Sequence, residues 1–378
     1  MTILTEEQQL IQDMARGFAR DILAPGAAER DKTKTIAPEI LAQMGELGFL
    51  GMTVPEDLGG VGADYVSYAL ALIEVAAGDG AISTVMSVHN APFNAILQRY
   101  GSTKQQQEVL RPATAGAFIG GFALTEGHAG SDASAIRTRA RRDGDDYVID
   151  GEKAFITSGQ IAEWVVVFAR MEGAEGKSGI TAFLVSTDTP GYHVTSVEEK
   201  LGQRCSDTCA LRFEGLRVPA HMRIGKEGEG YRIALSSLET GRIGIAAQSV
   251  GMARAALDLA VAYAQERTSF GQPLMAHQAV GFRLADARTQ LEAAKQLVLN
   301  AARMKDAGMP CLTEAAMAKL FASEAAERII SAALQTFGGY GYMQDFAVER
   351  IYRDARVCQI YEGTSDIQKL IITRAMAN

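Results

Sequence analysis

The sequence predicts an α+β protein of three units: an N-terminal helical domain over residues 1–117, a middle β-sheet domain (barrel or sandwich) over 118–225, and a C-terminal helical bundle over 226–378. Two observations support this prediction. Apolar residues recur with a helical period in the first and last thirds of the chain and alternate in the middle third. The 378 residues, 47% hydrophobic and 22% charged, also suffice for two or three packed units.

The first unit is predicted to be helical from its start. Thr5 and Gln8 form the pattern of a capping box before an apolar stripe, and Pro25 is expected to end this first helix because proline has no backbone N–H. The other helices of this unit are expected over 38–48, with Gly48 as the C-cap, over 64–77 and 81–98, and from a second capping box at Ser102 and Gln105.

The middle unit alternates apolar and polar residues, which is typical of strands. Asp150-Gly151 is a tight-turn dipeptide and predicts a hairpin between two of these strands. The unit is expected to end near Pro219. The strands are predicted over 147–149, 152–157, 164–169 and 180–185.

The last unit is rich in Ala, Leu, Gln and Glu, which favours long packed helices. The apolar run 243–264 is interrupted by Gln248, Arg254 and Asp258, and therefore predicts a buried helix, not a membrane span. The long helices are expected over 242–266, 276–306 and 313–336, and a final helix from Ser365, with Gln368 as its capping partner and Ile367, Leu370 and Ile371 on its buried face.

Charge and composition exclude several classes of function. The 37 basic and 45 acidic residues give a net charge of 37 − 45 = −8, and no block of five basic residues occurs, so nucleic acid and anionic membranes are not expected partners. The four cysteines lack CxxC spacing and the five histidines lack HxxxH spacing, so we expect no metal site. No export signal opens the sequence, which favours the bacterial cytoplasm, or the mitochondrial matrix for a processed enzyme.

Three loop segments and two arginines are candidates for chemistry. The segment "GFALTEGHAGSD" (121–132) exposes backbone amides that suit a flat ring or a phosphate, although a plain turn has the same composition. The glycines of "QTFGGYGY" (335–342) can equally be helix C-caps. Arg242 and Arg267 end apolar stretches and can bind either a phosphate or a carboxylate.

The segment "QIYEGTSDIQ" (359–368) contains the candidate for a general base. Glu362 follows Tyr361 and precedes a glycine, just before a predicted helix. Partial desolvation in such a context raises the pKa of a carboxyl group toward neutrality. The alternative is an acid that complements the helix dipole.

Taken in order, several motifs resemble those of the acyl-CoA dehydrogenase family of flavoproteins, and the resemblance covers nearly the whole chain. It implies the three-domain fold, FAD as cofactor, an acyl-CoA substrate, an electron-transferring flavoprotein as electron acceptor and a homotetramer. The motifs are "TVPEDLGGVG", "ALTEGHAGSD", "KAFITSG", "ERTSFG", "QTFGGYGY" and "IYEGTSDIQ".

The resemblance also implies roles for individual residues. Glu362 is implied as the base that removes the α proton of the thioester while the β hydrogen leaves as hydride to the flavin. The implied cofactor-binding residues are Phe122, Leu124, Thr125, Gly130, Ser131, Phe155, Thr157, Arg267, Ser269, Phe270, Gln278, Gln335, Gly338, Gly339, Thr364 and Asp366. The implied substrate-binding residues are Ser131, Glu239, Arg242, Tyr361, Gly363 and Arg374.

The sequence departs from the family pattern at a few positions. Some members carry the base at the position of Gly241, which cannot serve, and Glu239 is the reserve candidate. Gly127-His128 replaces the usual Pro-Gly of the flavin loop, and Phe155 replaces a frequent Trp.

The substrate and the reaction have alternatives. Segments 83–92 and 242–251 are most similar to those of short-chain and short-branched members, so we expect a short acyl group. The alternative functions are a flavin oxidase or monooxygenase on the same fold, and a CoA-ester-binding protein without catalysis.

Overall fold

The elements follow one another along the chain in the order that the sequence predicts. The structure, a computed structural model, describes residues 3–377. Helices extend to Thr114, strands lie between Ile119 and Ile224, and helices return at Gly230. The predicted fold class, helical, then β, then helical, is confirmed.

The N-terminal helices begin where the predicted caps lie. Thr5 accepts a hydrogen bond from the Gln8 N–H at 3.2 Å and donates its own N–H to Gln8 Oε1 at 3.1 Å, so the capping box is confirmed. The helices are α1 Glu6–Phe18, α2 Ala24–Thr33, α3 Pro38–Glu46, α4 Tyr65–Gly78, α5 Gly80–Val88, α6 Ala95–Tyr100, α7 Thr103–Gln105 and α8 Arg111–Thr114, with wider π-type turns at Ala19–Leu23, His89–Asn94 and Gln106–Leu110.

The prediction that Pro25 ends the first helix is wrong. The helical path continues from α1 through the wide turn Ala19–Leu23 into α2, with Pro25 in the first turn of α2. Proline lacks an N–H and its ring crowds the carbonyl of the preceding turn, and the wider turn before it accommodates both effects. The helix ends instead at Thr33, where Lys34 is left-handed with φ 60°.

The middle of the chain forms one mixed sheet, in the order β6-β7-β3-β2-β4-β5-β8, with β1 pairing β4 in parallel. Its inner faces bury a cluster of apolar residues that includes Tyr147, Phe183 and Phe213. The strands are β1 Ile119–Ala123, β2 Arg139–Asp143, β3 Asp146–Thr157, β4 Ala162–Met171, β5 Ile180–Ser186, β6 Tyr192–Val197, β7 Thr208–Pro219 and β8 Arg223–Ile224.

The predicted hairpin at Asp150-Gly151 is wrong, because both residues lie inside the single strand β3. The register against β7 shifts between Ile149 and Gly151, which is a bulge. Gly151 has φ 148°, and a Cβ there would lie 2.7 Å from the Cα of Thr138. The glycine therefore permits a close approach of neighbouring backbones. The chain reverses earlier, at Gly144, where φ is 64°.

The C-terminal part is built around one long helix. This helix, α9, is Gly230–Glu266 and packs against α4, α10 and α11. It is long and apolar enough to cross a membrane, but 67% of its most apolar window is buried inside the protein. The following elements are β9 Thr268–Ser269, β10 Gln272–Pro273, α10 Gln278–Asp306, α11 Leu312–Phe337, α12 Ala347–Ala355 and α13 Ser365–Met376.

Helix α9 begins twelve residues before the predicted start at 242. The added segment contains Ser236, Ser237 and Thr240, which have low helix propensity and hide the helical period. Their hydroxyls donate to carbonyls one turn earlier, at 2.8–2.9 Å. Burial of this segment against the sheet and the other helices outweighs its weak propensity.

The predicted buried face of the last helix is wrong in part. Within the described residues of α13, Gln368 is the buried residue and Ile367 and Ile371 are half-buried, whereas Leu370 is 43% exposed. Thr364 is the N-cap and accepts a hydrogen bond from the N–H of Ile367 at 3.3 Å. The Gln368 side chain does not cap the helix but donates to the carbonyl of Gly363 at 2.7 Å. A hydrogen bond from a buried side chain therefore fixes the turn before α13.

Candidate active site

The turn between α12 and α13 carries Glu362 in a strained conformation. Glu362 and Gly363 are both left-handed, with φ 54° and 87°. A left-handed conformation is easy for glycine but costs about 1 kcal/mol or more for a residue with a side chain. Such strain persists only where the surroundings impose it, and it directs the Glu362 side chain toward α9.

The carboxylate of Glu362 is enclosed although the turn itself is half-buried. Oε2 is inaccessible to solvent and makes no hydrogen bond within residues 3–377. The same is true of Nε and Nη1 of Arg242, whose side chain comes from α9 and is 5% exposed. Burial raises the pKa of Glu362 to about 7, against the opposing effect of the cations Arg242 and Lys319.

Gly241 on α9 faces this carboxylate directly. A Cβ at Gly241 would lie 2.4 Å from Glu362 Oε2. Side chains at positions 241 and 362 can therefore reach the same point of the site. Glu239, the reserve candidate for the base, lies elsewhere: its Oε1 accepts a hydrogen bond from Lys305 Nζ at 3.1 Å. Two residues along a helix turn a side chain to another face, as expected.

A buried polar network lies on the inner side of this turn. The hydroxyl of Tyr361 donates to Gln248 Oε1, and Gln248 Nε2 donates to the hydroxyls of Ser83 and Thr84, each at 2.6 Å. Gln248, Ser83 and Thr84 are buried. These groups satisfy one another, which favours a fixed arrangement.

The loop after β1 is held by a buried ion pair. Lys153 Nζ on β3 lies 2.8 Å from Glu126 Oε1 and 3.0 Å from the carbonyl of Leu124. Glu126 also accepts hydrogen bonds from the N–H groups of Arg137 and Thr138, at 2.6 and 2.9 Å. The tight turn at Gly127-His128 is closed by reciprocal backbone hydrogen bonds between residues 126 and 129. The unusual dipeptide is thus compatible with an ordered loop.

The same region offers an open aromatic face. Phe155 on β3 is left-handed, with φ 58°, and 65% exposed. The N–H of Ala154 donates to the carbonyl of Thr125 at 2.9 Å, which places the start of the loop beside Phe155. Gly130 and Ser131 are exposed further along the loop. An exposed ring beside open backbone is a surface on which a flat heteroaromatic group can lie.

Comparison with known proteins identifies the family of the chain. Three family models match the chain: acyl-CoA dehydrogenase N-terminal domain over residues 5–117, middle domain over 121–216 and C-terminal domain over 228–377. The chain belongs to the acyl-CoA dehydrogenase family. It is a flavoprotein oxidoreductase with acyl-CoA dehydrogenase activity.

Similar proteins cover the whole of this acyl-CoA dehydrogenase. The short-chain specific mitochondrial acyl-CoA dehydrogenase of Bos taurus is 46% identical, over 98% of this chain and 90% of that protein. The butyryl-CoA dehydrogenase structure from Megasphaera elsdenii has a TM-score of 0.98 and 39% identity over all of both chains. A chain in a structure described as an electron transferring flavoprotein of Acidaminococcus fermentans has a TM-score of 0.98 and 42% identity, over 100% of this chain and 99% of that one.

The family is FAD-dependent. One similar structure, a glutaryl-CoA dehydrogenase of Mycobacterium smegmatis, is described as a complex with FADH2. It has a TM-score of 0.94 and 33% identity, and the match covers 99% of this chain and 95% of that one.

In this acyl-CoA dehydrogenase, four of the predicted cofactor residues line open grooves on the helical part. Arg267, Gly338 and Gly339 line one groove of about 640 Å³. Gln335 lines a second groove of about 670 Å³ beside it. Among the described residues that line these two grooves, none belongs to the loop after β1 or to the Glu362 turn. The two grooves are therefore separate from the loop after β1 and from the Glu362 turn.

The other predicted residues occupy loops and helix ends. Ser269 and Phe270 lie on the β9–β10 hairpin, where Phe270 is 98% exposed, and Gln278 is the first residue of α10. Asp366 on α13 lies 3.8 Å from Lys369. Arg374 is exposed near the end of the same helix. Phe122 is half-buried on β1 and its ring packs on Phe168, and Thr157 is half-buried at the end of β3.

Several residues that shape the site were not predicted from the sequence. These are the two fully buried lysines Lys153 and Lys319, together with Glu126, whereas Gln368 was predicted only as a helix cap. A sequence signal existed for Lys319, a single charge within an otherwise small and apolar helix stretch. Buried lysines are rare unless they are paired, so a lysine in such a stretch indicates a buried partner.

Proposed function

We propose that this acyl-CoA dehydrogenase converts a short or short-branched acyl-CoA thioester to the trans-2-enoyl-CoA, with Glu362 as the base that takes the α proton. The observation that carries the proposal is the enclosed Oε2 of Glu362, which has no hydrogen-bond partner among the described residues and can therefore accept a proton. Its pKa of about 7 suits proton transfer at neutral pH. The Glu239 carboxylate, by contrast, is already paired with Lys305.

The N–H of Glu362 supports the same role. Among the described residues it makes no hydrogen bond, so it is available to a ligand beside the carboxylate. A donor aimed at the thioester oxygen stabilises the negative charge that develops as the α proton leaves. The buried guanidinium of Arg242 adds positive charge on the same side of the site.

The residues present fit FAD. The exposed Phe155 ring and the open loop at Gly130 and Ser131 suit the flavin ring, and Leu124, Thr125 and Thr157 lie beside them. Bound FAD supplies the hydride acceptor. The exposed backbone of Gly338 and Gly339, with Arg267 in the same groove, suits the pyrophosphate.

The polar network behind Tyr361 supports a short acyl group. Helix α9 rises about 1.5 Å per residue, so Gln248 lies about 10 Å along the helix from Gly241. There Gln248 is hydrogen-bonded to Ser83, Thr84 and Tyr361, so buried polar groups lie on this side of the base. A long apolar chain would have to displace these buried polar groups, which is costly.

Anaerobic titration with acyl-CoAs tests the function and its chain length. We expect butyryl-CoA and isobutyryl-CoA to bleach the oxidised flavin band, and kcat/KM for palmitoyl-CoA to be lower by more than about 10-fold. The measurement is the visible spectrum of the purified protein with FAD bound. A preference for palmitoyl-CoA would overturn the short-chain assignment, and no bleaching by any acyl-CoA would overturn the dehydrogenase proposal.

The pH dependence follows from the Glu362 carboxyl group, which must be ionised to accept a proton. Since its pKa is about 7, the rate of flavin reduction by saturating butyryl-CoA is expected to rise about 10-fold from pH 6 to pH 8 and to be lost below that window. Anaerobic stopped-flow measurements across this range check the expectation. A rate that is flat down to pH 5 would contradict Glu362 as a base of this pKa.

The proposal extends to partners and location. Acyl-CoA is the substrate, an electron-transferring flavoprotein is the electron acceptor, and a homotetramer is the assembly. The similar chain from the electron transferring flavoprotein structure of Acidaminococcus fermentans supports the acceptor. The exposed Phe270 and Tyr342 support burial in an assembly. The bacterial and mitochondrial relatives support a cytoplasmic or matrix location.

A further inference from the structure

Lys319 is a buried cation that the chemistry proposed above does not use. It lies on α11, its side chain has no solvent exposure, and Nζ donates to the carbonyl of Gly363 at 2.7 Å. Gly363 directly follows Glu362 in the strained turn. Burying an ammonium group costs free energy that its hydrogen bond to a neutral carbonyl and the nearby Glu362 charge offset only in part, and an apolar side chain of similar length would avoid that cost. Stability alone therefore does not account for a lysine at this position.

The Gly363 carbonyl, to which Lys319 donates, is the most strongly hydrogen-bonded group of the turn. It also accepts a hydrogen bond from Gln368 Nε2 at 2.7 Å, so donors from α11 and α13 converge on one oxygen. Two consecutive left-handed residues, Glu362 and Gly363, lie immediately before this point. Without these donors the Glu362 backbone is free to relax to the favoured right-handed or extended regions. Relaxation would swing the carboxylate away from its position beside Gly241.

We propose that Lys319 is a positioning residue for the reaction, whose ammonium group holds the Gly363 carbonyl and so keeps the Glu362 carboxylate aimed at the face of α9. This inference rests on the proposed role of Glu362 as the base. Lys319 does not contact the substrate in this arrangement and acts through the turn. Gln368 is the second, uncharged anchor of the same carbonyl.

The charges around the site add a second effect. Glu362 is faced by Arg242 from α9 and Lys319 from α11, and the hydroxyl of Tyr68 approaches from α4. Lys319 is in turn faced by Glu362, Arg242 and the thiol of Cys358. Burial lowers the pKa of Lys319 to about 8, so it is still largely charged at pH 7. Its charge stabilises the ionised form of Glu362, and removing it raises the pKa of the base.

Two matched substitutions separate positioning from charge. Lys319→Met removes both the donor and the charge, whereas Gln368→Met removes a donor to the same carbonyl without changing any charge. For Lys319→Met we expect flavin reduction by saturating butyryl-CoA to slow by about 10-fold or more, the loss for one hydrogen bond to a charged group. The acid limb of its pH profile should move above 7, while KM changes little.

For Gln368→Met we expect slower flavin reduction by saturating butyryl-CoA, with the acid limb of the pH profile unmoved. Both variants should bind FAD and perturb the flavin spectrum with a non-reacting thioester analogue as the wild type does.

The outcomes are separable from those that test the base itself. If the wild-type enzyme is not reduced by any acyl-CoA, the proposed function fails. If the wild type is reduced and Lys319→Met keeps both its rate and its pH limb, the inference about Lys319 is overturned. A slower Lys319→Met with an unmoved acid limb refutes the charge effect, and Gln368→Met then decides between anchoring of the Gly363 carbonyl and packing. If Lys319→Met does not fold, Gln368→Met decides, because a wild-type rate in that variant overturns the anchoring of the Gly363 carbonyl.

Discussion

Glu362→Gln is expected to lower turnover with butyryl-CoA by about 10³- to 10⁴-fold, because an amide cannot accept the α proton and general-base catalysis contributes up to about that factor. The side chain keeps its size, so the turn, the FAD content and acyl-CoA binding are expected to remain. Single-turnover flavin bleaching measures the chemical step, and a thioester titration of the flavin spectrum measures binding. The pH dependence through pH 7 should disappear with the carboxylate.

Glu239→Gln is the matched control for this substitution. The same chemical change is made on α9, two residues from Gly241, where the carboxylate pairs with Lys305. We expect altered affinity for the thioester with the chemical step retained. If Glu362→Gln turns over like the wild type while Glu239→Gln does not, the base has been assigned to the wrong carboxylate.

Gly241→Ala is expected to reduce turnover about 100-fold while leaving the fold at least as stable as before. The added Cβ would lie 2.4 Å from Glu362 Oε2, so the carboxylate must move. A displacement of about 1 Å at the reacting group can cost a factor of about 100. The atom that must move is the end of a side chain, so the helix need not distort. Replacing glycine within a helix stabilises it by up to about 1 kcal/mol.

The prediction for Gly241→Ala is a loss of activity without a loss of stability, which distinguishes it from a substitution that destabilises the fold. Thermal unfolding and butyryl-CoA turnover, measured on the same preparation, give the two quantities. Gly17→Ala is the control, since Gly17 lies on α1 and an added Cβ there meets nothing within 4 Å. It should gain stability and keep full activity. Full activity in Gly241→Ala would show that the carboxylate does not work from this position.

Local signals in the sequence predicted most elements of the fold. The capping boxes at Thr5 and Ser102 are local interactions, and the structure has both. The helix predicted to have its C-cap at Gly48 has it at Leu47, and Gly48 is the left-handed residue just after it. The errors arose where a local signal was overruled by distant residues. Asp150-Gly151 has the composition of a turn, but Gly151 is needed for the close approach of Thr138, the residue just before the neighbouring strand β2.

The roles predicted for the site residues rest on the family resemblance and are proposals for this chain. What the structure adds is where they lie. Glu362, Arg242 and Gly241 come together, although 120 residues or more separate Glu362 from the other two in the sequence. Phe155 and Thr125 also come together. Arg267, Gly338 and Gly339 form a separate groove.

The sequence by itself determined the family, the order of the three units and the residue types available for chemistry, because these depend on composition, periodicity and short motifs. Only the tertiary structure decided which groups share one space. The enclosure of the Glu362 carboxylate, the approach of Gly241 to it and the contact of Lys319 with Gly363 all join segments far apart in the chain. The pKa of Glu362 is near 7 because burial raises it, while the cations Arg242 and Lys319 on two other helices limit the rise. Short-range sequence patterns do not predict such contacts, because the contacts form only when the helices pack.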